Sequence, residues 1–197
     1  GNEFEITQRS DNQDKFGAYT TSGGLKSVVN TATWTAGQWY HVAMVMDGTD
    51  MHLYVNGTSV GSVAAATGSS NNNRYIGSKN ADPDHFYLGE IEEVRIWSVA
   101  LSASDIAGIY NKTITDPTLL TSCLVAYYKM DESSGTSLSD ATGNGHTGTL
   151  TNMAGTEWTA STNSLTSQNY ANCAAAVPVE LTFLRAQTVN ESSLLTW

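Results

Sequence analysis

A chain of 197 residues is long enough for one large β domain, or for one domain and part of another. Its formal net charge of -10, from 9 basic and 19 acidic side chains, leaves no basic stripe for a phosphate backbone, so a nucleic-acid partner is excluded. Charged residues are only 14% while Ser, Thr, Asn and Gly abound, a balance suited to a turn-rich extracellular β protein rather than a helical cytosolic enzyme.

Glu3–Arg9 alternates, with Phe4 and Ile6 on one side, and reads as a strand. Gly1 leads straight into this pattern, so the chain reads as an excerpt without its own leader. Lys15–Thr21 and Leu25–Asn30 follow as further strands, separated by the turn at Ser22-Gly23-Gly24. The strongest signal is Trp39–Val63. Asp47-Gly48 and Asn56-Gly57 tolerate the positive φ of tight hairpins, and they divide three apolar runs, Trp39–Met46, Met51–Val55 and Thr58–Val63. A three-stranded antiparallel meander is expected. Tyr40, Val42, Met44 and Met46 share one face of its first strand, and Trp39, His41, Ala43 and Val45 the other. Both rows are largely apolar, which makes that strand central.

Ala64–Asn73 and Ser78–His85 read as exposed loops around a short strand at Arg74–Gly77. In Phe86–Trp97, Val94 and Ile96 share a face, but Ile91 lies three residues before Val94. The three can be buried together only with a bulge near Glu92-Glu93. Ser102–Asn111 is the one helical stretch: Ser102 is an N-cap, Asp105 sits at the third position, and Ile106, Ile109 and Tyr110 form an apolar stripe. Leu124–Met130 is a strand, Asp131–Gly148 a polar turn region, and Thr149–Asn152 a short strand. Thr156–Cys173 looks irregular. Val177–Trp197 alternates again and reads as the first hairpin of a second small β domain, with the boundary at Ala174–Pro178. Cys123 and Cys173 lie in polar, loop-like sequence and are read as one disulfide in an oxidising compartment. No run of 18 apolar residues is present, so no membrane insertion is expected.

Trp39–Gly48 with its preceding Ala36-Gly37-Gln38, then Leu53–Gly57, Tyr75–Gly77 and Gly89–Ile106, occur in an order that resembles the laminin-G-like branch of the concanavalin A-like lectin/glucanase superfamily. The resemblance covers roughly residues 3–111. It implies an all-β, antiparallel jelly-roll sandwich of two sheets with one short helix, its first strands lying before Gly1. Leu124–Trp158 is similar to the segment that opens such domains and also follows some of them as a tail, and is expected to pack on the first sandwich. Domain limits follow as 1–173 for the sandwich and 174–197 for the linker and new hairpin. Val177–Trp197 resembles the start of immunoglobulin-like or fibronectin-like modules of proteins exported by type IX secretion.

The superfamily includes glycoside hydrolases with Glu-x-Asp-x-x-Glu along one strand, so that a nucleophile and an acid/base share a face about 5 Å apart. Glu90-Ile91-Glu92-Glu93-Val94-Arg95 fails this pattern: Arg95 stands where the second Glu is needed and Glu92 where the Asp is. The chain is therefore read as non-catalytic. No Gly-x-Ser-x-Gly elbow is present either. His41 and His52 are read as packed or hydrogen-bonded strand residues. For a cofactor, Ca²⁺ is the best fit, with Asp131, Glu132, Asp140 and Asn144 as ligands and Asp82 and Asp84 as a poorer set. For a glycan, Trp34, Tyr75 and Tyr87 offer aromatic faces near Asn72 and Asp82. The expected role is a secreted or cell-surface adhesion or carbohydrate-binding module within a larger protein, its partner an extracellular glycan or surface protein. A structural spacer or filament subunit contacting copies of itself, and an accessory domain of a polysaccharide-degrading enzyme, are the alternatives.

Overall fold

The computed structural model describes residues 4–9, 15–21, 24–65, 74–78, 87, 89–170, 173 and 178–188, with backbone alone for residues 4, 8, 9 and 178–188. The chain is all-β with one short α-helix. A three-stranded sheet is formed by β1 (Phe4–Arg9), β2 (Lys15–Thr20) and β3 (Lys26–Val29), each antiparallel to the next. The meander follows as β4 (Trp39–Met46), β5 (Asp50–Val55) and β6 (Thr58–Ala64). Next come β7 (Gly89–Val99), α1 (Ala103–Ile109), β8 (Lys112–Ile114) and a single 3-10 turn at Pro117–Leu120. The tail adds β9 (Leu124–Tyr128), β10 (Ser137–Leu138), β11 (Gly148–Thr149), β12 (Thr166–Gln168) and β13 (Pro178–Thr188). The main sheet has six strands in the order β6-β5-β4-β13-β7-β9.

The core explains why β4 is central. Val42, Met44 and Met46 pack with Ile6, Phe16, Ala18 and Val28 of the three-stranded sheet and with Met51 and Leu53 of β5. Ala43 and Val45, on the opposite face, pack with Ile106 and Ile109 of α1 and with Trp97, Leu124 and Tyr127. Alternation of side chains along one strand thus feeds two separate clusters, and the two layers expected of a sandwich meet on the even-numbered face. At the turn between β5 and β6, Asn56 and Gly57 have φ of 50° and 76°, the two left-handed residues of a tight hairpin. Gly57 is doubly constrained, because a Cβ there would come within 2.6 Å of the Tyr110 ring.

The bulge in β7 lies where the apolar spacing demands it. Glu93 has φ of 58°. Against β13, two steps from Phe183 to Arg185 match three from Arg95 back to Glu92. Helix α1 starts on the capping box read from sequence: Ser102 Oγ accepts from the Asp105 N–H (3.2 Å) and the Asp105 carboxylate accepts from the Ser102 N–H (3.1 Å). Cys123 and Cys173 form the disulfide, with Cα atoms 5.6 Å apart.

Three segments differ from the sequence reading. Arg74–Gly77 forms no strand; Ser78 makes an isolated bridge beside it. Thr166–Gln168, inside the stretch read as irregular, pairs parallel with β8. Residues 178–188, read as opening a new domain, run between β4 and β7 as β13, antiparallel to both. The alternating pattern that marked them as a strand is satisfied there, since periodicity identifies a strand and not its partner. The tail joins the same sheet through β9, which pairs with β7. It closes a third cluster in which Tyr128 and Leu138 meet Val94 and Tyr87.

Candidate functional site

Two places gather ionisable side chains, and their chemistry differs. The first is the β7 bulge. Glu93 and Arg95 are 6% and 1% exposed, and Arg95 Nη2 lies 2.5 Å from Glu93 Oε2. The same guanidinium donates to the Lys112 carbonyl and, at 3.4 Å, to that of Ile109, and it stacks 5.0 Å from the centre of the Tyr127 ring. The Tyr127 hydroxyl donates to Glu93. Burial above all pushes that hydroxyl up from its ordinary range; Arg95 opposes the shift and Glu93 adds to it. Glu92 sits beside the pair and accepts from Ser161 Oγ and, at 2.8 Å, from Asn163 Nδ2. The bulge is what lets neighbouring residues Glu92 and Glu93 both be buried. Two of the three carboxylates in the stretch that tempts a hydrolase reading are thus internal: Glu93 neutralises a buried arginine, and Glu92 fastens the loop at residues 161–163 to the sheet, while Glu90 is half-buried and accepts from Thr159 Oγ1 at 3.4 Å.

The second place is the turn from β4 into β5. Asp47 Oδ1 accepts from the Thr49 N–H, the Thr49 hydroxyl and the Asp50 N–H at 2.8–2.9 Å, and Oδ2 lies 2.8 Å from His52 Nε2. Desolvation works against the Asp47 carboxylate, but these hydrogen bonds outweigh it and hold the group below its ordinary value. Ligand atoms of Asp47, Asp50 and His52 lie within 4.8 Å of one another. The geometry is local: the two aspartates flank the turn and His52 is two residues further along β5. Sequence reading assigned Asp47 to the turn and His52 to packing or hydrogen bonding. The signal that was available is Asp-x-x-Asp-x-His across a two-stranded turn, which folds the three side chains together.

The residues expected to bind calcium do other work. Asp140 Oδ1 accepts from the Tyr127 N–H, the Thr142 N–H and the Thr142 hydroxyl, and Oδ2 from the His146 N–H. Burial would raise this carboxyl, yet the four hydrogen bonds hold it below its ordinary value. Asn144 donates its amide to the Leu124 and Val125 carbonyls, and Glu132 Oε1 accepts from the Ser139 N–H. Glu132 Oε2 is buried and without a hydrogen-bond partner. Asp131 is exposed. Among the described residues, the acidic and histidine side chains that converge are Asp47, Asp50 and His52, and Asp131, Glu132 and Asp140 make no such group. The polar turn region spends its carboxylates on backbone N–H groups, as turn-building Asp and Asn do.

Nor do the expected aromatic faces assemble. Trp34 is buried with Phe16 and Met46 on one side of the main sheet, and Tyr87 is buried with Val94, Tyr128 and Leu138 in a different cluster. Tyr75 is half-buried. Large rings near loops are drawn into the core because burying them stabilises more than any other side chain of the segment could. Asn72, Asp82 and Asp84 lie outside the described residues.

A two-layer antiparallel sandwich, whose central meander is closed by Asp-Gly and Asn-Gly turns and whose bulged strand leads into a capped helix, defines a lectin-like β fold. The sequence profile of the laminin-G family in the Concanavalin A-like lectin/glucanases superfamily matches residues 1–107. The chain belongs to that superfamily. Among solved structures, one chain similar to it is an S-layer domain-containing protein from Clostridium thermocellum, at 24% identity and a TM-score of 0.35. The alignment covers 56% of this chain and 63% of that one. No curated protein matches.

Proposed function

We propose that this chain is a non-catalytic module that binds carbohydrate or a surface protein outside the cell, as part of a larger protein. The observation that carries the reading is the fate of the β7 carboxylates. On a lectin/glucanase fold, the position of the second catalytic Glu is filled by Arg95, paired with the buried Glu93, and Glu92 at the Asp position is buried and bonded to Ser161 and Asn163, which leaves the half-buried Glu90 without a second carboxylate at the motif's spacing. Retaining hydrolysis needs two carboxyl groups facing substrate about 5 Å apart. The disulfide supports an oxidising compartment, which is where secreted and cell-surface proteins reside. Among the described residues no helix is long and apolar enough to cross a membrane.

Among the described residues, a divalent cation would be held by Asp47, Asp50 and His52. Two carboxylates and an imidazole suit ions that take mixed nitrogen and oxygen ligands, such as Mn²⁺ or Zn²⁺, better than Ca²⁺, which takes about six to eight oxygens. Bound there, the ion would brace the hairpin and offer open positions to sugar hydroxyls. A glycan array probed with the chain in EDTA and again with added Mn²⁺ tests the reading. Binding to at least one glycan class is expected, and silence across the array in both conditions removes the lectin claim.

A filament or spacer subunit is the second reading. It is favoured by β13, a strand that enters the main sheet from far along the chain and makes both of its neighbours' pairings.

A further inference from the structure

Residues 41–46 of β4 are buried on both faces, as are 92–95 and Trp97 of β7. The edges these strands turn towards each other are therefore lined by core, and they are joined through β13. It pairs with β4 from Leu181↔Val45 to Gln187↔Trp39 and with β7 from Pro178↔Val99 to Thr188↔Gly89. Without an occupant, two rows of backbone N–H and C=O groups would face an apolar gap, and each buried unpaired group is costly. The gap cannot stay empty, and water cannot fill it well.

The occupant comes from outside the stretch that defines the family, which ends at residue 107. Its partners on β4 and β7 lie far back in the sequence, so its pairing carries a loop-closure cost that local hairpins do not. Its backbone pairs with both neighbours, and backbone pairing does not distinguish one copy of a strand from another. The Cys123–Cys173 bond ends just before β13, so the strand can leave its own sheet with the disulfide and everything before it in place.

We propose that the gap between β4 and β7 is a strand-acceptor site, and that residues 178–188 of one copy can fill it in a second copy, joining the two by strand exchange. This deepens the filament reading and does not depend on any glycan, so a negative array leaves it standing. Two-way exchange closes a dimer; one-way exchange propagates a chain of subunits.

The test is refolding of the full chain from denaturant at increasing concentration, with mass read by light scattering. Dimers or larger species that grow with concentration and survive dilution are expected. They should be absent from Thr182→Pro, whose N–H is removed at the position paired with both Met44 and Ile96. Association through the outer edges β6 or β9 would persist in that variant and would overturn the proposal. A second readout needs no variant. Excess synthetic peptide of sequence 178–188 added during wild-type refolding should cut the associated fraction roughly tenfold, and a scrambled peptide should leave it unchanged. A chain that stays monomeric at every concentration, or associates equally with either peptide, contradicts strand exchange.

Discussion

The β7 bulge and the β4–β5 turn each set a carboxylate against a basic side chain, and they use the pair in opposite ways. At the bulge, Glu93 and Arg95 are 6% and 2% exposed at the side chain; at the turn, Asp47 and His52 are 36% and 24% exposed. A buried pair left without hydrogen-bond partners costs several kcal/mol, and Glu93 and Arg95 gather Tyr127 and two carbonyls around them, with Arg95 Nε alone left unpartnered. A half-exposed pair carries no such demand, because water supplies what the protein does not. Its ligand atoms are hydrogen-bonded to one another and to the turn, yet they lie where solvent and a cation can reach them. Burial thus decides which carboxylates are structural in this fold and which are available for chemistry.

Removing one partner from each pair separates the two cases. Glu93→Ala leaves Arg95 charged in the core and should destabilise by about 3–5 kcal/mol in urea unfolding. Gly57→Ala, which forces a Cβ against Tyr110 at a left-handed φ, should cost about 2 kcal/mol in the same assay, and its nearness to the hairpin makes it a control for packing alone. Asp140→Ala frees three N–H groups and a hydroxyl and should cost roughly 1–3 kcal/mol. Asp47→Asn should cost less than about 1 kcal/mol, while abolishing calorimetric heat on titration with Mn²⁺ or Zn²⁺.

Acid unfolding sharpens the contrast. Both Asp47 and Asp140 titrate below their ordinary value of 3.8 when folded. The unfolded chain therefore binds their protons more readily. Their stabilisation is complete above that value and is lost as pH falls through the folded one. Asp140→Ala and Asp47→Asn should each flatten the acid limb of a stability profile below about pH 4.

The meander was legible residue by residue, because Asp-Gly and Asn-Gly fix both turns and the two apolar faces of Trp39–Met46 admit only a central strand. The bulge was legible too: Ile91, Val94 and Ile96 cannot share a face without it. The capping box at Ser102 follows the same local logic, and Cys123 can pair within the chain only with Cys173 because the sequence holds two cysteines. What escaped was non-local. Alternation in residues 178–188 says strand, and nothing in it says β4 and β7. Trp34 and Tyr87 lie beside loops in sequence, and only the packed sheets show that their rings turn inward. The convergence of Asp47, Asp50 and His52 was missed for a related reason, since each member already had a sufficient local explanation.

The account rests on Glu92 and Glu93 being internal, and a double-mutant cycle on Glu93 and Arg95 tests that most directly. Glu93→Gln, Arg95→Met and the double variant, compared by urea unfolding, should return a coupling of about 2 kcal/mol or more, with the double variant more stable than either single one. Coupling near zero, with each single variant close to wild-type stability, would place these side chains in water and return them to the pool of groups that could act on a substrate.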